Sequence, residues 1–307
     1  MKNPIASSAA LAATITRSAS RQTYTTIRCL VDRDLVADAF RAYAYFRWID
    51  DLLDEGTLDR PQRLAFLKRQ ADLLAGCFAA GEFPQQVAPE ERMLLDLVRN
   101  DRQASGGLQA YTSNMMAVMA FDAQRRYRLI SRHELEEYAR LLATAVTEAL
   151  HYFIGNGCTP PLSNERYLAA TGAHITHMLR DTLKDNRCGY INIPADFIRK
   201  HHLSLQEAAS LPFRAWVEER VQLARACFRA GKRYLRQVEH PRCRIAGWAY
   251  MARFEVVLDL IEQDGYILRP DYGSARNFAG GLQVSRAVLQ QVLGRCRKEA
   301  GSPVLSA

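Results

Sequence analysis

Long apolar runs are absent. No stretch of about 18 consecutive apolar residues occurs in the 307-residue sequence, so no segment reads as a membrane-spanning helix. Cysteine is sparse and unpatterned. Cys29, Cys77, Cys158, Cys188, Cys227, Cys243 and Cys296 are odd in number, and no CxxC pair occurs. That spacing argues against a zinc ribbon and a disulfide framework, and predicts a cytoplasmic chain with ordinary thiols. Glycine (17) and proline (11) are too few for a fibrous or disordered chain. G-x-S-x-G, P-loop and G-x-G-x-x-G signatures are all missing, so hydrolase, nucleotide and dinucleotide chemistries lose their usual anchors. Acidic excess is also absent, because the formal net charge is +8. Arginine is spread along the chain without a basic tract or a stacking motif, which argues against nucleic acid. A basic balance suits an anionic substrate or brief contact with an anionic bilayer surface. The small-residue stretch from Ala6 to Ala13 is too short and too polar-flanked for a signal peptide.

What the sequence has in abundance is helical periodicity, with strand-like alternation nearly missing. Apolar spacing and breakers predict helices near 8–28, 33–55, 60–80, 89–120, 132–154, 163–187, 213–238, 240–264 and 282–299. Pro84, Pro89, Gly155, Gly157, Pro160, Pro161, Pro194, Pro212, Pro241 and Pro270 fall between or at the ends of these segments. Gly106 and Gly107 are expected to kink or interrupt the fourth helix. No linker or repeat divides the chain, so 1–307 reads as one all-α domain, a helical bundle able to enclose a cavity.

Two segments carry chemistry. Between Ala42 and Asp54, residues Ala42, Tyr45, Phe46, Ile49, Leu52 and Leu53 form an apolar helix face. Arg47, Asp50, Asp51 and Asp54 fall at i, i+3, i+4 and i+7 beside it. Three carboxylates within five residues repel one another unless a cation sits among them. Magnesium is the hard, oxygen-seeking cation that such a set suits, and it shares its shell with phosphates. A solvated acidic face is the plainer explanation, but aromatic and apolar flanks argue against simple exposure. In the second segment, His174, His177, Asp181 and Asp185 recur on one helical stripe, with Arg180, Lys184 and Arg187 around them. Alone this is an ordinary salt-bridge pattern. Two aspartate-rich helices in one all-α chain favour a metal–diphosphate site, with the cations holding phosphate oxygens.

These motifs resemble the squalene/phytoene synthase family, as a divergent member. Tyr45-Phe-Arg-Trp-Ile-Asp-Asp-Leu-Leu-Asp54 is similar to the family's first aspartate-rich helix. Asp122-Ala-Gln-Arg-Arg-Tyr127 and Glu134-Leu-Glu-Glu-Tyr138 resemble its middle signature. Leu179-Arg-Asp-Thr-Leu-Lys-Asp185, with Ile193-Pro194 following, is similar to its second aspartate-rich motif. The resemblance implies an all-α isoprenoid-synthase helical bundle with a central cavity, and a prenyltransferase that joins two prenyl diphosphates, farnesyl or geranylgeranyl diphosphate, head to head. It implies Mg2+ held by Asp50, Asp51, Asp54, Asp181 and Asp185. Arg47, Arg180 and Arg187 would lie near the diphosphate, and Tyr138 near the reacting carbons. Tyr43, Tyr45, Phe46, Tyr138, Tyr152, Phe153, Tyr250 and Phe254 are aromatic candidates for facing a carbocation, although core packing is the better explanation of any single one.

The chain also departs from the family pattern. His174 and His177 stand where Gln and Asn are usual, and Leu142-Ala-Thr144 with Thr147 replaces a small-residue run. Tyr190-Ile-Asn192 stands where Arg-x-Tyr is expected, Phe254 replaces a tyrosine, and Asp271 a basic residue for which Arg269 or Arg276 are substitutes. Larger residues should reshape the cavity. A terpene cyclase acting on one prenyl diphosphate is therefore an alternative, as is a non-catalytic scaffold of the same fold. His174 and His177 are candidate proton-handling residues, since a histidine beside a carbocation can accept a proton. His133, His151 and the His201-His202 pair read as structural.

Overall fold

A computed structural model describes residues 7–54, 58–79, 86–101 and 106–272. The expected helix over 282–299, together with Pro84, Arg276 and Cys296, lies outside the described residues. Eleven α-helices occupy the described residues: α1 (Ser8–Ala19), α2 (Arg21–Leu30), α3 (Val36–Asp54), α4 (Arg60–Ala79), α5 (Pro89–Arg99), α6 (Gly107–Arg125), α7 (Arg132–Ile154), α8 (Leu168–Cys188), α9 (Ala195–Lys200), α10 (Leu211–Gln237) and α11 (Pro241–Gln263). Among the described residues no helix is long and apolar enough to cross a membrane, and the six described cysteines are free thiols.

Local chemistry explains where the sequence-based boundaries shift. The helix expected over 8–28 is two helices. Ser20 takes extended dihedrals (φ −156°, ψ 102°), and its hydroxyl accepts from the Thr23 N–H at 3.1 Å, capping α2. The helix expected over 89–120 is also two. Pro89 opens α5, and Gly106, at φ +67°, takes the left-handed turn that starts α6. The segment expected to begin at 163 becomes helical only at Leu168, after a run of turns.

The helices gather into two compact units. Of the described residues, those within 7–128 and 136–160 form the first, and those within 129–135 and 161–272 the second. In the first unit, α3 lies against α1, α5 and α6, and α4 lies against α6. Tyr45, Ile49, Met93, Leu94, Leu95 and Leu108 are fully buried there. A buried polar network ties α3, α4 and α5 together. The Tyr45 hydroxyl donates to Gln70 Oε1 (2.9 Å), and Gln70 Nε2 donates to Glu91 Oε1 (2.8 Å). Glu91 also accepts two bonds from Arg69 (2.8 and 2.9 Å) and one from the Ala88 N–H (3.0 Å). Those donors, Arg69 first, outweigh burial and hold the Glu91 carboxyl down at about 2.

In the second unit, α8 and α10 form the closest pair, and α11 lies against both. Gly231 makes the approach possible, since a Cβ there would stand 2.7 Å from the Ala169 Cβ. Phe213, Trp216, Phe228, Leu258 and Ile261 fill this core.

Candidate active site

The first acidic cluster sits at the C-terminal end of α3. Ala42, Tyr45, Phe46, Ile49 and Leu53 are buried and fix the rotation of the helix, so Arg47, Asp50 and Asp51 emerge on the other side. Arg47 Nη2 pairs with Asp51 Oδ1, while its Nε donates to Asp51 Oδ2 at 3.1 Å, and its Nη1 lies 3.4 Å from Asp50 Oδ2. One turn earlier, Tyr43 hydrogen-bonds Thr23 of α2, and burial pushes its phenol up.

A further carboxylate joins this cluster from α6. Burial, then Asp54, together with Asp122 and Asp51, pushes Asp50 up to about 6 against the pull of Arg47. Asp122 feels Asp54 in turn. Burial pushes its carboxyl up against the pull of Arg125 and Tyr138. The sequence pointed to Asp122 only as part of a motif and gave it no place among the site residues. Its signal was weak, because it has no acidic neighbours on its own helix, and only the packing of α6 brings it towards α3.

Asp122 also meets Tyr138 of α7. The Tyr138 hydroxyl donates to Asp122 Oδ2 at 2.8 Å, and Arg125 Nε donates to Asp122 Oδ1 at 2.6 Å. Phe121 stacks on the Tyr138 ring with centroids 5.1 Å apart, and the Arg125 guanidinium carbon lies 4.8 Å from its centroid. Tyr138 is buried, and both burial and the Asp122 charge push its phenol well up.

The second acidic helix, α8, belongs to the other unit. Arg180 Nε and Nη2 donate to the two Asp181 oxygens at 2.7 and 2.6 Å, and His177 Nε2 lies 2.8 Å from Asp181 Oδ2. Burial would raise Asp181, but the Arg180 and His177 hydrogen bonds outweigh it and hold the carboxyl far below the usual range. One turn on, Asp185 Oδ2 accepts from Asn192 Nδ2 at 3.0 Å. Gly189 (φ 88°) ends α8, with the Tyr190 N–H returning to the Asp185 carbonyl at 2.9 Å. That turn delivers Asn192 to Asp185, so the segment that departs from Arg-x-Tyr supplies a neutral amide instead. Arg187 lies exposed in the last turn of α8.

The two histidines share a stripe but not an environment. His174 is buried, whereas the His177 ring is half exposed and 6.5 Å from Phe254. Phe254 is itself buried, beside Tyr250 (5.3 Å) and under the Arg253 guanidinium (4.7 Å). Arg269 is paired with Asp264 at 2.5 and 2.8 Å, so its charge is committed there. Tyr152 donates to Asp101 at 2.8 Å and stacks edge-on with Phe153, which places both in the wall of the first unit. A groove of about 590 Å³ between α4 and α6, lined by Leu74, Phe78, Met116 and alanines, holds no titratable side chain and is not where the chemistry gathers.

The donor set suits a hard divalent cation. Carboxylates crowded at the C-terminal end of α3, without a basic residue in its last turn, meet the negative end of the helix dipole as well as one another. A cation relieves both costs. Among the described residues no group of three or more His, Cys, Asp and Glu side chains forms a metal cage by itself. Magnesium is typically bound by one or two carboxylates and completed by water and phosphate oxygens; α3 offers three carboxylates, Asp50, Asp51 and Asp54, and α8 two, Asp181 and Asp185.

Comparison with known proteins bears on the family and the fold. Residues 16–287 match the sequence profile of the Squalene/phytoene synthase family. Over 113 residues the chain is 31% identical to the 15-cis-phytoene synthase of Synechococcus elongatus, a match that covers 35% of this chain and only 36% of that relative's length. The fold is similar to a dehydrosqualene synthase solved with ligand (TM-score 0.71, 17% identity, 92% of this chain and 96% of that one). It is also similar to squalene synthase HpnC from Alicyclobacillus acidocaldarius (TM-score 0.67, 22% identity, 85% and 95%). These likenesses show the all-α isoprenoid-synthase fold.

Proposed function

Because the chain belongs to the squalene/phytoene synthase family, we propose that it is a magnesium-dependent prenyltransferase that condenses two prenyl diphosphates head to head, with 1–307 working as one catalytic domain. The observation that carries this reading is the charge crowding at the end of α3. There Asp50 is pushed up to about 6 by burial and by Asp54, Asp122 and Asp51. A fold maintains such repulsion where a cation will offset it.

In this reading Asp50, Asp51 and Asp54 on α3, and Asp181 and Asp185 on α8, hold Mg2+, and farnesyl or geranylgeranyl diphosphate is the substrate. When bound, the metal neutralises charge on the departing diphosphate. Arg47 and Arg180 hold Asp51 and Asp181 in place, and their guanidinium groups would offer donors to the phosphate oxygens of a bound substrate. Asn192 steadies Asp185. Arg187, exposed at the end of α8, adds a cation for the diphosphate. Tyr138 lies beside the reacting carbons, where its oxygen faces developing positive charge. Contact with a bilayer is brief and peripheral, through basic and apolar surface.

The test is diphosphate release by the purified protein with Mg2+ and farnesyl or geranylgeranyl diphosphate. Release should stop in excess chelator and fall about 100-fold or more in Asp50→Asn and in Asp181→Asn. Full activity in chelator or in either variant would refute the metal assignment.

A further inference from the structure

We propose that Asp122 is the positioning residue of Tyr138, with Arg125 as the buried counter-ion that keeps Asp122 in that role. The inference rests on the proposed activity, in which Tyr138 faces the reacting carbons. It assigns a task to a carboxylate that belongs to neither aspartate-rich motif.

The geometry specifies the task. A phenol has one proton, and Tyr138 gives it to Asp122 Oδ2 at 2.8 Å. Its oxygen in turn accepts a hydrogen bond from Arg125, so the phenol is held from both its donor and its acceptor side. Phe121, stacked at 5.1 Å, and Arg125, 4.8 Å from the ring centroid, restrict the ring itself. Asp122 is in turn held by Arg125 Nε at 2.6 Å through its other oxygen, so it cannot rotate away from the phenol. The Arg125 side chain is only 6% exposed, which makes this ion pair costly to break from one side. Phe121, Asp122 and Arg125 come from consecutive turns of α6, and Tyr138 comes from α7. The arrangement therefore couples the position of Tyr138 to α6, the helix whose carboxylate also acts on Asp50 and Asp54. Residues whose side chains work as a unit show strongly non-additive losses.

The experiment is a double-mutant cycle on kcat for diphosphate release, using Tyr138→Phe, Asp122→Ala and both together. Tyr138→Phe and Asp122→Ala should each lower kcat about tenfold or more, with KM within about twofold. In the Tyr138→Phe background, Asp122→Ala should cost no more than about twofold further. Equal losses in both backgrounds would mean that Asp122 acts on its own, and would overturn the proposal. Should Asp122→Ala fold poorly, the paired replacement Asp122→Leu with Arg125→Met removes the whole ion pair without stranding a charge, and carries the same expectation. A second readout does not use activity. In protein labelled with 3-fluorotyrosine, the fluorine resonance that disappears in Tyr138→Phe should shift and broaden in Asp122→Ala. An unmoved resonance would overturn the proposal even if the protein released no diphosphate. Absence of release from wild-type protein, with that resonance moved, would instead count against the proposed activity and leave the anchoring in place.

Discussion

Neutralising Asp50 should stabilise the metal-free protein. Burial and the neighbouring carboxylates Asp54, Asp122 and Asp51 raise Asp50 from 3.8 to about 6. At about 1.4 kcal/mol per pKa unit, that difference corresponds to about 3 kcal/mol of penalty on the ionised form. The Asp50 side chain is 44% exposed, so solvent screening reduces the usable figure to about 1 kcal/mol. The sign follows from linkage. A carboxyl whose pKa rises on folding destabilises the fold when ionised. The penalty is therefore complete above about 6 and fades as pH falls towards 3.8. In chelator at about pH 8, Asp50→Asn should raise the thermal midpoint by about 2 °C, given the entropy of unfolding of a chain this long. At about pH 4 the two proteins should melt together. The assay is a calorimetric or fluorescence melt of both proteins at the two pH values. An Asp50→Asn melt that is lower than wild type at pH 8, or a gain that persists at pH 4, would refute the reasoning about charge crowding.

Other consequences concern packing and product control. Glu91→Ala strands Gln70 and the Ala88 N–H, and should cost about 1–3 kcal/mol by urea denaturation at neutral pH. Because Glu91 is held down at about 2, its contribution is complete above 4.5 and is lost as pH falls towards 2, so the variant should lack that acid limb. Gly231→Ala should lower the melt, since its Cβ would meet Ala169 at 2.7 Å. Gly76→Ala, whose Cβ meets nothing within 4 Å, should raise stability by about 0.5–1 kcal/mol; the opposite order would contradict the α8–α10 packing. His177→Asn should change the product mixture while diphosphate release continues, and unchanged products between about pH 6 and 9 would return His177 to a packing role.

The sequence made some parts of this site readable and hid others for identifiable reasons. The α3 stripe was legible because Arg47, Asp50, Asp51 and Asp54 repeat at helical spacing beside a clean apolar face. The Asp122–Arg125–Tyr138 cluster was legible only as separate pieces of one signature, because the bonds that join them are made between α6 and α7. The break between α5 and α6 was signalled by Gly106 and Gly107, whereas the break at Ser20 was not, since a serine reads as tolerable within a helix as well as a cap. His174 and His177 lie on one stripe, yet i and i+3 positions diverge enough that one is buried and the other half exposed. Asn192 had no sequence signal for its bond to Asp185, which depends on the left-handed turn at Gly189.

Head-to-head condensation is tested most directly by the carbon count of the product. Purified protein is incubated with Mg2+ and a single deuterium-labelled prenyl diphosphate, and the hydrocarbon fraction is measured by mass spectrometry. Condensation predicts a product with twice the carbon number of the substrate, carrying label from two substrate molecules. A labelled product that keeps the carbon number of one substrate molecule would contradict the account and identify a cyclase.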